Sequence, residues 1–245
     1  MAETHEISTS SGVIISIVGT IVMVLIYVHF ARASKRSASN VAAVSHLIPG
    51  QAAARGWGYL AQDASRAKYF RSYPFFWNVP MQAQDIVWGT VDARAFETFA
   101  LSFPENTYAS AGDGKQFSSA HDFQVVWIPL AAALPRVQFT KDDSAVRKLA
   151  ALGSARVEVE SAEFNEIWNA YSSDARVCHA VLNPRLIERL LAPDARVLDY
   201  TFEGAALMTS LPYLTDLPEV ESIVRTLYAV VDLVPPFLFQ QGSGS

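Results

Sequence analysis

The chain has 245 residues, 51% of them apolar and 18% charged, with 19 basic against 24 acidic side chains for a net charge of −5. That balance is too charged for a polytopic membrane protein and too apolar for a disordered one, and the length suits one anchored domain or one large single domain. A single cysteine, Cys178, excludes an internal disulfide, and no Cys/His spacing matches a zinc site.

The apolar residues are concentrated at the start. No Asp, Glu, Lys or Arg occurs between Glu6 and Arg32, and Val13–Phe30 is almost wholly aliphatic. A helix of about 20 residues crosses the ~30 Å hydrocarbon layer, so residues 12–31 predict one transmembrane helix. A cleaved signal peptide would need basic residues ahead of the apolar run, where Glu3 and Glu6 stand instead. A buried core helix of this length would carry a polar stripe. Arg32, Lys35 and Arg36 follow the span, and such charges are retained on the cytoplasmic side. The expected topology is single-pass in the plasma (inner) membrane: residues 1–11 outside, a basic linker at 32–40, and a cytoplasmic domain over 41–240. Residues 241–245 read as an appended linker. Tyr27 and His29 fall at the headgroup level. Ser16, Gly19 and Thr20 form a small-residue face suited to contact with another membrane helix.

Beyond the linker, residues 41–245 hold 16 basic and 22 acidic side chains. This acidic domain has no basic stripe interleaved with aromatics, which argues against nucleic acid as a partner. The Arg32/Lys35/Arg36 cluster suits anionic lipid headgroups, at about 1 kcal/mol per charge.

In chain order, Val41–Gly56 shows a short helical pattern interrupted at Pro49-Gly50. Short strands follow at Trp57–Leu60, Asp85–Thr90 and Ala95–Phe103, the last after a turn at Val91-Asp92. Ala111–Gly114 marks a loop. Phe123–Pro129 reads as a strand buried on both faces and Arg136–Thr140 as a separate short one, with a helix after Asp142-Asp143. Val157 and Val159 alternate with Glu158 and Glu160 as a half-exposed strand. Ser161 caps a turn bearing Phe164 and Trp168, and Asn169–Ser172 returns as a strand. Asp174 caps a helix to Leu182, and Asn183-Pro184 opens another to Leu191. Val197–Phe202 and Ala205–Leu211 are expected to pair as a hairpin across Glu203-Gly204. Asp216 and Glu219 form a capping box for a final helix whose apolar face runs Val220, Ile223, Val224, Leu227, Val231, Val234 before Pro235-Pro236. The fold class is α+β, with a mostly antiparallel sheet and packed helices.

Catalytic templates fail one after another. Gly112-Asp113-Gly114-Lys115 lacks the Lys-Ser/Thr pair and the strand–helix setting of a phosphate cradle. Cys178 and His179 are adjacent on a helix and point about 100° apart, so they form no dyad. No Gly-x-Ser-x-Gly elbow occurs. The histidines His5, His29, His46, His121 and His179 lack ligand spacing, and Glu158, Glu160 and Glu163 read as a solvated edge. No catalytic, metal or cofactor residue is assigned.

The unusual segment is Tyr73-Pro74-Phe75-Phe76-Trp77-Asn78-Val79-Pro80, with three aromatic residues between two prolines and a fourth just before them. It either fills a core beneath a loop or presents an apolar patch to a membrane interface or partner, with Trp57 and Tyr59 contributing. On the second reading Tyr73, Phe75, Phe76, Trp77, Trp57 and Tyr59 are the contact residues.

Val157–Asn165 (VEVESAEFN), Tyr171–Asp174 (YSSD) and Leu182–Leu191 (LNPRLIERLL), with Arg55-Gly56-Trp57 and Leu134-Pro135, resemble a recurrent domain of unknown function in single-span actinobacterial proteins. That family is non-enzymatic as far as its motifs go: Phe164, Leu190 and Leu191 face a core, and Asn165 and Asn183 cap turns. A mycobacterial member with this layout assists an integral-membrane flippase of the resistance-nodulation-division type that exports trehalose-linked mycolic lipid for the cell envelope. The resemblance therefore implies an accessory protein bound to such a transporter on its cytoplasmic side. A lipid-binding domain acting through Tyr73–Pro80 and the basic linker, and a membrane-bound hydrolase, stand as alternatives.

Overall fold

The structure is a computed structural model whose described residues are 45–66, 82–102, 122–141, 153–211 and 216–240, all in the unit beginning at Val44. The expected span, the basic linker, the Tyr73–Pro80 segment, the Ala111–Gly114 loop, His121 and the helix after Asp143 lie outside them. Among the described residues no helix is long and apolar enough to cross a membrane.

The strands are β1 (Gly58–Asp63), β2 (Gln82–Val91), β3 (Arg94–Ser102), β4 (Asp122–Thr140), β5 (Ala155–Val157), β6 (Asn169–Ser172) and β7 (Tyr200–Leu211). The helices are α1 (Ile48–Ala54), α2 (Ala162–Ile167), α3 (Ala175–Val181), α4 (Pro184–Leu191), α5 (Leu217–Val231) and α6 (Phe237–Gln240). The strands make one antiparallel sheet in the order β1-β2-β3-β4-β6-β5, with β7 also paired to β4. The α+β class with an antiparallel sheet is thus observed.

The long strand β4 organises the sheet. Its first part, Asp122–Trp127, pairs with β3, its last part, Val137–Thr140, pairs with β6, and β7 runs along both. Pro129 and Pro135 sit in the stretch between, where β4 has a partner on one side only and a missing N–H costs no ladder bond. The two strands expected at Phe123–Pro129 and Arg136–Thr140 are therefore one strand of 19 residues with irregular register in its middle.

The hairpin expected across Glu203-Gly204 is corrected in the same way. Gly204 takes a positive φ of 57° at an irregularity opposite Leu134, and the strand carries on, with Phe202 opposite Val137 and Ala206 opposite Pro129. Both halves of β7 find their partner in β4, which is long enough to take them in series.

Helix ends follow local chemistry. Asp174 Oδ1 accepts from the N–H groups of Arg176 (2.9 Å) and Val177 (3.2 Å), and Asp216 Oδ1 from that of Glu219 (3.1 Å). Ser161 Oγ accepts from Phe164 N–H at 3.3 Å. Pro49 lies in the first turn of α1, where its missing N–H is no loss, so it does not interrupt that helix as expected. The strand expected through Glu160 stops at Val157, because the Asn165 side chain takes both backbone groups of Val159, donating to its carbonyl at 2.6 Å and accepting its N–H at 3.3 Å.

The main core lies between the sheet and the helices. It joins Val87, Phe96, Val126, Ile128, Phe139, Phe202 and Leu207 of the strands to Val220, Ile223, Val224 and Leu227 of α5 and to Leu186 and Leu190 of α4. A smaller cluster of Ala83, Ile86, Phe99, Leu101, Val125 and Met208 occupies the other face, with Phe123 and Trp127 against it. β2 and β3 are joined by Asp92-Ala93, both at positive φ, the twist a two-residue hairpin requires. The tip is fastened to the end of α5 by Arg94–Asp232, at 2.7 and 2.8 Å, and by Arg225–Asp92 at 3.0 Å.

Candidate functional site

Antiparallel register places Trp88 of β2 opposite Glu97 of β3, and Glu97 opposite Trp127 of β4. Residues directly opposite share a face, so the three side chains form one row across the smaller-cluster face of the sheet. Glu97–Trp127 is also the last β3–β4 pair on that side, and Pro129 lies two residues on. A cleft of about 260 Å3 lies there, lined by that row of three and by Arg66, Gly89, Ala95, Phe96 and Pro129.

Its chemistry centres on Glu97, which is 8% exposed. A carboxylate that buried needs partners. It accepts from Trp127 Nε1–H at 3.2 Å and forms an ion pair with Arg66. Arg66 is in turn held by Asp63 at 3.4 Å, with its guanidinium 5.8 Å from the Trp88 ring centroid. Asp63 sits below the usual carboxylate range, mainly because Ser65 donates to it from its hydroxyl and its N–H, with Arg66 adding to the effect. Trp88 remains 41% exposed. The cleft thus has two indoles, a fixed carboxylate and a fixed guanidinium, with no net charge between the last two.

Trp88, Glu97, Trp127 and Arg66 form no motif in the sequence, because they stand on separate segments of the chain and only register assembles them.

Of the sequence-derived contact residues, Trp57 and Tyr59 are described. Trp57 packs edge-on against Phe96, with centroids 4.7 Å apart, under the Arg55 guanidinium at 5.5 Å, and donates to the Thr90 carbonyl at 3.2 Å. It lies on the helix-covered face, not in the cleft. Tyr59 donates to Asp85 Oδ1 at 2.9 Å, and Ser45 bonds the other carboxylate oxygen. Burial, and then that carboxylate, push the Tyr59 hydroxyl up to about 12. Tyr73, Phe75, Phe76 and Trp77, the cations Arg32, Lys35 and Arg36, and the small-residue face Ser16, Gly19 and Thr20 lie outside the described residues.

Other ionisable groups hold the fold together. Arg55 pairs with Glu221 at 2.6 Å, Arg136 with Glu203, and Arg189 with Asp194. Cys178 is fully buried, and burial pushes its thiol up to about 12, while His179 points to solvent. Among the described residues no group of three His, Cys, Asp or Glu side chains converges on a metal-sized gap.

No family model and no curated protein sequence matches the chain. Among solved structures, the crystal structure of the mycobacterial trehalose monomycolate transport factor A, TtfA, is similar, with a TM-score of 0.51 and 13% identity over 78% of this chain and 93% of that one. The likeness is one of fold. It falls on the mycobacterial member whose layout the sequence resemblance invoked.

Proposed function

We propose that this chain is a non-enzymatic accessory protein, anchored by residues 12–31, that binds an integral-membrane transporter on its cytoplasmic side and supports export of trehalose monomycolate. The observation that carries this reading is the fold shared with the crystallised chain of the transport factor over 93% of that chain. The apolar run Val13–Phe30, with no charged residue, supports the anchor, and the three cations after it support the orientation with the N-terminus outside. In this reading the transporter is of the resistance-nodulation-division type. Ser16, Gly19 and Thr20 pack on one of its helices, Arg32, Lys35 and Arg36 hold anionic headgroups, and the aromatic residues from Tyr73 to Trp77 meet the partner or the interface, with Trp57 and Tyr59 contributing.

The test is export itself. Depletion of the protein in its own cells, followed by pulse-labelling of trehalose monomycolate and separate assay of the two leaflets, is expected to leave newly made glycolipid on the cytoplasmic side. Unchanged delivery to the outer leaflet would overturn the proposal.

A further inference from the structure

We propose that the Trp88–Glu97–Trp127 cleft binds one neutral pyranose ring of a carbohydrate, stacked on indole and hydrogen-bonded to Glu97 and Arg66. The inference goes beyond the accessory role and stands without it.

Size is the first argument. At about 260 Å3 the cleft lies just under the range of small-molecule pockets, which begins near roughly 300 Å3. That volume suits a single ring. Charge is the second. Glu97 and Asp63 flank the Arg66 guanidinium, so an anionic ligand meets two carboxylates and a cationic one meets carboxylates already engaged by Arg66. A neutral ligand meets neither penalty.

Hydrogen bonding is the third. Each Glu97 oxygen accepts one bond, from Trp127 or from Arg66, although a carboxylate offers about four acceptor sites. Arg66 engages Asp63 and Glu97 and retains further N–H groups of its roughly five. The floor therefore offers unused acceptors beside unused donors. Neighbouring hydroxyls, each both donor and acceptor, satisfy that pairing; an ester or an ionised phosphate, with acceptors only, satisfies half of it. The fourth argument is the wall: Trp88 keeps two-fifths of its surface open, an apolar plate against which the C–H face of a sugar ring can lie.

The ring can come from a free sugar or from a glycolipid headgroup. The experiment uses the full chain in a detergent without sugar headgroups, since a glycosidic detergent would compete. Soluble trehalose and glucose are titrated by saturation-transfer NMR and tryptophan fluorescence. Vesicles bearing a glucosyl lipid and vesicles of phosphatidylglycerol are the two membrane probes. Saturable binding of soluble sugar, with a dissociation constant of about 0.1–10 mM, supports the proposal and a free-sugar source. Binding to glucosyl-lipid vesicles alone supports it with a headgroup source. In either case Glu97→Gln and Trp88→Ala should each weaken binding by at least about tenfold. Should Glu97→Gln fail to fold, the exposed Trp88→Ala decides. No saturable sugar signal, sugar binding untouched by Trp88→Ala, or binding to phosphatidylglycerol vesicles only, overturns it.

Discussion

The Trp88 indole lies where a Cβ on Gly58 would stand, with its nearest ring atom 2.2 Å from that position. Gly58 and Trp88 are opposite partners in the β1–β2 ladder. On the other face the relation is mirrored: Trp57 lies 2.3 Å from the Cβ position of Gly89. Two glycines thus give two tryptophans their seats on opposite faces of the same strand pair.

The two seats should respond differently to a methyl group. The contact at Gly58 is with Cε2, Cζ2 and Nε1 of the exposed Trp88, beyond the root of its ring, and rotation of that side chain into solvent relieves it. The contact at Gly89 is with the root of the Trp57 ring, held by Phe96, Arg55 and the Thr90 carbonyl. Gly89→Ala is expected to destabilise by about 1–3 kcal/mol, and Gly58→Ala by less than about 1 kcal/mol, in urea unfolding. Equal losses would show Trp88 to be as firmly held as Trp57.

Asn183 does two jobs that substitution can separate. Its Oδ1 accepts from the N–H groups of Arg185 and Leu186, both at 3.1 Å, and caps α4; its Nδ2 donates to the Leu233 carbonyl at 2.8 Å, tying that cap to the end of α5. Asn183→Ser keeps a cap and loses the tie, at about 1 kcal/mol. Asn183→Ala loses both, at about 2–3 kcal/mol. Thermal or urea unfolding should rank the three as Asn, Ser, Ala; a serine variant as weak as alanine would remove the cap from the account.

Alkali should weaken the fold in stages. The Cys178 thiol moves from 9.0 to about 12 by burial, and the Tyr59 hydroxyl from 10.0 to about 12 by burial and its bond to Asp85. Tyr200, buried and donating to the Ala195 carbonyl at 2.8 Å, is raised as well. These groups keep their protons in the folded chain at pH values where the unfolded chain has lost them. Their stabilising effect is complete below the unfolded values and is lost as pH rises through the folded ones. Urea midpoints between about pH 8 and 11 should fall with increasing pH, starting near 9 for the native chain and nearer 10 for Cys178→Ala. A flat profile in the native chain would contradict the burial of these groups.

Much of the helical part was legible in the sequence because its signals are local. Ser161, Asp174, Asn183 and Asp216 each cap within three residues of themselves, and the structure places all four at helix starts. The α5 stripe from Val220 to Leu227 likewise depends only on helical period. What escaped is what one strand learns from another. Phe123–Pro129 and Arg136–Thr140 read as two strands because Pro129 and Pro135 look like breaks; they are tolerated because β3 has ended and β6 has not begun. Glu203-Gly204 reads as a turn, yet β4 is long enough to pair with both flanks. The cleft escaped for the same reason: Glu97 and Trp127 are neighbours only through β3–β4 register.

The central claim is that the chain works by binding a polytopic membrane protein, and gentle detergent extraction of the tagged full-length protein from its own membranes tests it most directly. Size-exclusion chromatography with quantitative mass spectrometry should find a multi-span transporter at near-equal stoichiometry, lost when residues 1–31 are replaced by an unrelated membrane helix and Tyr73, Phe75, Phe76 and Trp77 by serine. Recovery of the native protein alone, under conditions that preserve other membrane complexes in the same extract, would contradict the account.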